Sequence, residues 1–467
     1  MFLIPCILAY LFITIAIGYW ASSKVKTAED FALAGKSLPL SMASTALFAT
    51  WFGSETVLGA SSEFAEKGLL GVIQDPFAVV LCLLIVGFFF ARRLYRMGLV
   101  TFNDYFKIRY GSTAEQVSAW FMIPSYFGWV AAQLVAMAII FQSLFIGMPL
   151  YVGIIICSLL VVFYTYTGGM WAVSITDFLQ TIVIIVGLLI LTWLMLDKIG
   201  GFEVLLAKAP KNTFDFLPKS TYKDTMAYAA AWITLSLGSI PQQDLFQRLM
   251  AGKSEKVAVN STFMAAGLYL VVAIMPLIIG LSAKILYPQL MEGDAQKMLP
   301  NLVLQHTSEF VQILFFGALI SAILSTASGA MLAPAVVLSE NILKPYYPNL
   351  TDKQLLFTMR LCVLFIACCA TLIGILNPAI SKLVEQSSAI GLVSLFTPFL
   401  AGLIWKKASG TAAILSMILG FSTWLLASSV TSDTPPVFIG LGIAIFTMVV
   451  SSYIFPNEKN LEETNQI

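Results

Sequence analysis

Charged residues are scarce in this sequence. Only 11% of its 467 residues are charged, whereas 59% are hydrophobic and the mean hydropathy is +0.88. A soluble globular protein carries about 25% charged residues, and its core cannot hold this much apolar surface. Phosphate-binding glycine loops and the H-E-x-x-H and G-x-S-x-G motifs are missing as well. The composition therefore excludes an ordinary soluble enzyme and indicates an integral membrane protein.

Histidine and cysteine, which ligate most transition metals, are also scarce. The single histidine, His306, lies in a predicted external loop, so a site built from several histidines cannot form. We interpret all the cysteines as small hydrophobic residues because they lie within apolar runs. These cysteines are Cys6, Cys82, Cys157, Cys362, Cys368 and Cys369.

Long apolar runs recur along the whole chain. A transmembrane helix needs about 20 mostly apolar residues, and roughly thirteen such runs are present. The first run lacks a basic segment before it and exceeds a signal-peptide core in length, so we count it as a span. Strands of a β-barrel would alternate over about ten residues instead. The predicted spans are Phe2–Ala21, Leu40–Ala60, Leu69–Phe90, Val117–Ile146, Tyr151–Tyr166, Thr176–Leu196, Met226–Leu245, Val257–Ile285, Phe310–Ile342, Leu355–Leu376, Leu383–Trp405, Thr411–Ser429 and Pro436–Phe455.

Basic residues collect on one side of these spans, and the positive-inside rule assigns that side to the cytoplasm. The long connection from Lys198 to Lys223 is basic on the opposite side, but long loops obey the rule poorly. We therefore predict an external N-terminus and a cytoplasmic C-terminus with the polar tail Asn457–Ile467. The expected location is a plasma membrane, namely a bacterial inner membrane. The cytoplasmic basic residues are Lys24, Lys26, Lys36, Arg92, Arg93, Arg96, Lys107, Arg109, Arg248, Lys253, Lys256, Lys406 and Lys407.

Two spans contain interruptions at matching places. Small and hydroxyl residues surround Gly53 in the second span, and the seventh contains Gly238 and Pro241, which disfavour a regular helix. Transporters built from inverted repeats place their sites at such broken helices near the bilayer midplane. Glycine and proline also serve close packing in membrane helices, so that alternative stays open.

The interruptions divide the chain into parts of one transporter domain. Spans two to six and seven to eleven form two five-helix units, which an odd number of spans places in opposite orientations. Residues 1–37 hold an accessory helix and an inner loop, and 38–197 form the first repeat. Residues 198–407 hold an outer loop and the second repeat, and 408–467 hold accessory helices and the tail.

Four acidic residues fall within or at the ends of apolar runs: Glu55, Asp75, Asp177 and Asp244. A charge inside the bilayer costs on the order of 3 kcal/mol, so such residues are usually kept for function. Asp75 has the alternative role of a helix cap, and Asp177 that of complementing a helix dipole. Together the four acids predict an interior that favours cations.

The ninth span carries a hydroxyl-rich run, Ser321–Ser328. Ser325 and Ser328 share a helix face, with Thr326 beside them. These hydroxyls either bond back to the preceding turn or, with carbonyls freed near Gly53, supply oxygen ligands for sodium.

The sequence resembles the sodium/solute symporter family, which includes sodium/proline, sodium/galactose and high-affinity choline transporters. The resemblance implies a LeuT-type five-plus-five inverted repeat, in agreement with the interruptions. It covers nearly the whole chain and rests on four motifs taken together, which are Ala49–Gly53, Tyr164–Gln180, Ile240–Arg248 and Ala322–Thr326.

The resemblance also implies ligands for sodium, from three backbone carbonyls and two hydroxyls. The main site would use Ala49, Phe52, Ala322, Ser325 and Thr326. A second sodium, or the sodium exit path, would involve Asp177 and Ser328. Gly329 stands where the family motif has a further hydroxyl, which weakens the prediction of a second ion.

The motifs are most similar to those of choline transporters, and aromatic faces such as Trp51 and Trp129 attract quaternary ammonium. Gln242 and Ala389, however, replace an aromatic residue and an acid of those transporters. Alternative substrates are another amine, an amino acid or a polyol, and the alternative role of the two tryptophans is packing. The predicted substrate-binding residues are Trp51, Glu55, Thr56, Gln74, Asp75, Trp129, Gln242, Asp244 and Gln386.

The sequence thus predicts a polytopic all-α symporter that imports a small polar organic solute with Na⁺ by alternating access. Its expected partners are the solute, sodium and the lipid bilayer, without nucleic acid; the sequence leaves the oligomeric state open. The alternatives are proton coupling in the same fold and a transporter-like sensor. A channel is disfavoured because broken inverted repeats suit alternating access better than a static filter.

Overall fold

The computed structural model describes residues 2–456 except 146, 220, 293–294, 379 and 431–432. Over these residues the chain is helical and contains no β-sheet; one isolated bridge pairs Leu38 with Gly252. The α-helices are α1 Leu3–Ser22, α2 Ala28–Leu33, α3 Leu40–Ala49, α4 Ala60–Lys67, α5 Val79–Ile85, α6 Ala91–Met97, α7 Asn103–Tyr110, α8 Ser112–Leu144, α9 Leu150–Ile199, α10 Phe202–Lys208, α11 Tyr222–Gly238, α12 Gln243–Met250, α13 Glu255–Leu286, α14 Met298–His306, α15 Glu309–Val337, α16 Asp352–Leu376, α17 Ile380–Ile390, α18 Thr397–Ile404, α19 Gly410–Ala427 and α20 Pro436–Ile454.

Within the described residues, ten helical stretches are long and apolar enough to cross a membrane. Two predicted spans lie in α9, which consists of two helices joined at Gly169, where the backbone is not helical (φ 47°, ψ −145°). Breaks in the backbone divide the second and seventh predicted spans. The helices α3 and α11 that precede these breaks are too short to be counted as membrane spans by themselves. The count of thirteen spans stays a prediction. Ile146, the predicted end of the fourth span, and the tail Asn457–Ile467 lie outside the described residues.

Side-chain caps set several helix boundaries. The Thr351 hydroxyl accepts from the backbone N–H of Gln354, and the Gln354 side chain accepts from the backbone N–H of Thr351. This reciprocal capping box satisfies two backbone donors at the start of α16. Ser254 and Ser409 cap α13 and α19 in the simpler one-sided way. These boundaries follow from local sequence because Ser and Thr are favoured N-cap residues.

The core is centred on α15, which packs against α8 and α9. Every residue from Phe315 to Val337 is buried. By contrast, α1 lies at the edge of the bundle, and α19 and α20 pair with each other. Large apolar side chains such as Phe12, Leu426 and Phe446 are exposed on these outer helices. An apolar exterior is what contact with lipid requires.

The backbone departs from α-helix near the centre of the bundle. Residues 50–53 separate α3 from the next helical turn, and residues 239–242 separate α11 from α12. The π-helical turns Glu55–Gly59 and Ile73–Ala78 follow the first break along the chain. Turns of this kind are often found at functional sites. The two breaks and the π-helical turns therefore bring polar residues from separate segments of the chain into one region.

Candidate functional site

A cavity of about 70 Å³ lies at the two breaks. Six of the predicted substrate-binding residues line it: Trp51, Glu55, Gln74, Asp75, Trp129 and Gln242. Four further lining residues were not in that prediction: Val79, Leu235, Val384 and Ser388. The cavity thus combines two indoles, two carboxylates, two amides, a hydroxyl and aliphatic side chains.

Glu55 is held by donors on three sides. Its Oε1 accepts from Trp129 Nε1 at 2.7 Å and from Gln133 Nε2 at 2.8 Å. The Ser54 hydroxyl donates to Oε2 at 3.3 Å. Gln133 and Ser54 are buried, and Glu55 is partly buried. These neutral donors fix the carboxylate at the cavity without cancelling its charge.

Asp75 is held in a similar way by two hydroxyl groups. Thr56 donates to Oδ2 at 2.5 Å and Tyr269 donates to Oδ1 at 2.9 Å. The two hydroxyl oxygens lie 2.7 Å apart. Thr56 is therefore placed behind Asp75 rather than among the cavity-lining residues, and its contact with substrate stays a prediction.

Asp244 and Gln386 are the other predicted substrate residues that do not line the cavity. Asp244 is fully buried and accepts from the Tyr126 hydroxyl at 2.6 Å. The Tyr126 ring stacks on Trp129 with centroids 6.0 Å apart, so Asp244 lies one layer behind the indole. Gln386 is exposed, because Val384 and Ser388 occupy the cavity-facing side of α17.

A second cavity of about 140 Å³ adjoins the first and shares Glu55, Gln74, Asp75 and Val384 with it. Its wall includes the further carboxylates of Glu63 and Glu385. Among the described residues that line either cavity, none is a lysine or an arginine.

The residues predicted to bind sodium meet between the first break and α15. The Thr326 hydroxyl lies 3.2 Å from the Ala49 carbonyl and 3.1 Å from the Ala322 carbonyl. A Cβ atom on Gly53 would lie 2.8 Å from Thr326 Oγ1, so glycine permits this approach. Phe52 lies in the same unwound segment. The Thr326 hydroxyl is therefore within hydrogen-bonding distance of two predicted carbonyl ligands, one on each side of the break.

Ser325 and Ser328 make different contacts. The Ser325 hydroxyl donates to Asp177 Oδ1, which leaves the oxygen lone pairs of Ser325 free to face a cation. Ser328 donates to the Ser325 carbonyl at 2.9 Å, one turn earlier. Ser328 thus adopts the back-bonded alternative considered for this run, and Thr326 makes a bond of the same kind to the Ala322 carbonyl four residues earlier.

Arg248 corrects one assignment made from the sequence. It was counted among the cytoplasmic loop residues, whereas only 1% of its side chain is exposed and its Nη2 lies 3.6 Å from Asp177 Oδ2. The apolar residues that precede and follow it in α12 could have indicated burial, but nothing in the sequence identifies Asp177 as its partner. Over the described residues, no cluster of three histidine, cysteine or acidic residues could hold a metal ion.

The profile of the sodium:solute symporter family matches residues 31–420. The chain belongs to this family. It is therefore a sodium-coupled symporter, with Na⁺ as the ion that moves together with the solute. The resemblance found from the motifs is confirmed, and the family consists of transporters rather than enzymes.

The symporter has relatives in animals and bacteria. It is 28% identical over 445 residues to the human high-affinity choline transporter 1, covering 90% of this chain and 75% of that one. The Drosophila melanogaster high-affinity choline transporter 1 is 27% identical, with 88% and 68% covered. The sodium/glucose cotransporter of Vibrio parahaemolyticus is 26% identical, with 95% and 88% covered.

A solved structure shares the fold of this symporter. A Na⁺-coupled sialic acid symporter, in a substrate-bound outward-open state, aligns over 99% of both chains with a TM-score of 0.86 and 19% identity. The predicted LeuT-type helical fold is thereby confirmed.

Proposed function

We propose that this symporter imports a small organic cation of the choline type together with sodium. The observation that carries the proposal is the pairing of two carboxylates, Glu55 and Asp75, with two indoles, Trp51 and Trp129, around one cavity. The described lining residues include no basic side chain that would neutralise these acids. A cationic solute would supply the missing positive charge.

The contacts of Trp129 suit the binding of a quaternary ammonium group. Its indole N–H is engaged by Glu55 at 2.7 Å, which fixes the ring at the cavity wall. An aromatic face attracts a cation by about 0.5–2 kcal/mol, more when water is excluded. The Glu55 carboxylate adds charge attraction beside the same ring. Indole and carboxylate together favour an alkylated ammonium over a neutral sugar.

The polar tail of the solute would meet amide and hydroxyl groups. Gln242 and Ser388 line the cavity together with Gln74, and their side chains can donate and accept hydrogen bonds. An amino acid is less well served, because its carboxylate would find no basic partner among the described lining residues. The choline transporters among the relatives support the same choice.

Sodium is proposed to bind between the first break and α15. The carbonyls of Ala49, Phe52 and Ala322 would share the ion with the hydroxyls of Ser325 and Thr326. Thr326 already touches two of these carbonyls, so an ion there would tie the unwound segment to the core helix. Carbonyls of broken helices are the ligands that such transporters offer to sodium.

Transport then follows from movement of the two repeats. Residues 38–197 and 198–407 are the proposed repeats, and 1–37 and 408–467 hold the accessory elements. Sodium would stabilise the outward-facing arrangement and order the cavity; release towards Asp177 would free the solute inside. We place the N-terminus outside, the C-terminus in the cytoplasm and the protein in a bacterial inner membrane.

The proposal is tested by the melting temperature of the purified protein against a solute panel, in sodium and in potassium. The panel contains choline, proline, basic amino acids, polyamines, sugars and carboxylates. A ligand that binds only the folded state raises its stability by RT ln(1 + [L]/Kd). We expect choline-like cations to raise the melting temperature in sodium but not in potassium. A shift confined to sugars or carboxylates would rule out a cationic solute.

A further inference from the structure

One glutamine bonds the first turn of α12 to the backbone just before α7. The side chain of Gln243 is fully buried. Its Oε1 accepts from the backbone N–H of Phe102 at 2.7 Å, and its Nε2 donates to the Val100 carbonyl at 3.4 Å. Both ends of the amide are therefore used on one short stretch of backbone, residues 100–102. Because α7 belongs to the first proposed repeat and α12 to the second, this side chain joins the two repeats.

The ring of Phe102 packs against the second repeat at the same place. It is fully buried, with its centroid 5.8 Å from that of Phe246 on α12 and 4.9 Å from that of Phe399 on α18. Aromatic pairs at such distances add stability beyond the area that they bury. In these buried surroundings, a backbone group that loses its hydrogen-bond partner is costly. The hydrogen bonds of Gln243 and the rings of Phe102 and Phe246 thus stabilise one closed contact, here called the clasp.

Other side chains hold α7 itself to the second repeat. Arg109 donates from Nε to the Gly402 carbonyl at 3.1 Å and from Nη2 to the Trp405 carbonyl at 3.0 Å, at the end of α18. The Asn341 amide, in the π-helical turn that follows α15, donates to Asp104 Oδ1 at 2.9 Å. None of these five residues adjoins in sequence a described residue that lines either cavity.

Gln243 differs from these anchors because it directly follows Gln242, which lines the first cavity. The two residues lie at the second break, where Gln242 has an extended backbone (φ −103°, ψ 143°) and α12 begins at Gln243. A solute that displaces Gln242 therefore also displaces the first turn of α12. The clasp is thus one peptide unit away from the cavity wall.

We propose that Gln243 is a positioning residue for alternating access, whose hydrogen bonds to residues 100–102 keep the predicted cytoplasmic side closed until solute moves Gln242. Inward opening breaks both hydrogen bonds of Gln243 and separates Phe102 from Phe246. Occupancy of the cavity is thereby tied to opening on the opposite side. The triggering by solute and the sidedness rest on the proposed function, whereas the clasp itself does not depend on which solute is carried.

The test measures how fast a buried reporter cysteine reacts. Thr101 lies between the two residues that Gln243 binds and is fully buried. Thr101→Cys is introduced into the full-length protein after its six native cysteines are replaced by alanine. The rate of modification by a water-soluble maleimide is then measured for the purified protein in sodium. We expect Gln243→Met to raise this rate by at least about fivefold, because two hydrogen bonds that favour the closed contact are lost.

The matched control is Asn103→Leu. The Asn103 amide is equally buried and donates to the Ser118 hydroxyl at 2.7 Å, within the first proposed repeat. Its loss should leave the rate of modification unchanged. An unchanged rate in Gln243→Met, or an equal rise in Asn103→Leu, would overturn the clasp. If Gln243→Met does not fold, Gln243→Asn gives the same comparison with a smaller expected rise, since its shorter side chain cannot reach both partners.

Added choline separates this inference from the proposed function. At a concentration that raises the melting temperature in sodium, choline should increase the rate in the reporter protein and cause no further increase in Gln243→Met. A rise in melting temperature without any change in the rate would overturn the link between solute and clasp. No rise in melting temperature would instead contradict the proposed solute, and the comparison of Gln243→Met with Asn103→Leu would still decide the clasp.

Discussion

The two acids of the cavity and the buried acid Asp177 lie in different surroundings. Glu55 and Asp75 receive hydrogen bonds from neutral donors, whereas Asp177 also faces the guanidinium of Arg248. Neutral donors orient a carboxylate but leave its charge available, while a guanidinium cancels it. We infer that Glu55 and Asp75 remain available to a transported cation, whereas Asp177 is already paired with a permanent cation of the protein, Arg248.

Removing the permanent cation should have the largest effect. In Arg248→Met, Asp177 loses its partner, and breaking such a buried pair costs about 3 kcal/mol or more of folding stability. We expect the melting temperature at low sodium to fall steeply and to recover in part as sodium is added. Arg248→Lys is the matched control and should lose less. If the melting temperature is unchanged in Arg248→Met, pairing with Arg248 does not stabilise the fold, and Asp177 is held no differently from the cavity acids.

The cavity acids should instead control the solute. Glu55→Gln keeps the shape and an acceptor for Trp129 but removes the charge, so we expect choline affinity to fall by at least about 30-fold. The number of sodium ions bound should stay the same. Competition binding with choline and with its neutral carbon analogue measures the effect. Equal losses of affinity for both compounds would show that Glu55 does not recognise the charge of the solute.

A third variant probes the boundary between the two regions. Thr326→Ala removes a hydroxyl that lies between the Ala49 and Ala322 carbonyls. We expect about 10-fold weaker sodium activation, as for the loss of a ligand-shell group, with solute preference unchanged. The sodium dependence of uptake measures this effect. If sodium activation matches that of the wild type, the ion does not bind at this hydroxyl.

The smallest predicted effect concerns the aromatic wall. Trp129→Leu should weaken choline binding by about 1 kcal/mol, roughly fivefold, through loss of the cation–π contact. Trp129→Phe retains an aromatic face and should bind more tightly than the leucine variant, although it loses the N–H bond to Glu55. Inhibition constants for choline compare the two. Identical constants for Phe and Leu would assign Trp129 a packing role only.

Much of the site could be predicted because its residues carry local signals. Glu55 and Asp75 stand out as acids at apolar runs, and Gly53 marks a break in a helix. Whether Gln386 or Ser388 faces the cavity depends on how α17 is rotated against its neighbours, and consecutive polar residues do not reveal that rotation. The sequence therefore predicts the correct segment, but Ser388 lines the cavity in place of the predicted Gln386.

The contacts of Arg248 could not be predicted for a different reason. Its charge made it typical of a cytoplasmic loop, and only the fold brings α12 to Asp177 and Gly329. Long-range packing decided these contacts. The count of thirteen spans stays a prediction, and the two spans predicted within Leu150–Ile199 lie on either side of Gly169, where the backbone is not helical.

The most direct test of the central claim is uptake of labelled choline into proteoliposomes under an inward sodium gradient. Transient accumulation that disappears when potassium replaces sodium, and that is lost in Glu55→Gln, is the expected result. Choline entry that does not depend on sodium, or sodium-driven uptake of choline unchanged in Glu55→Gln, would contradict cation recognition by the acids of the cavity.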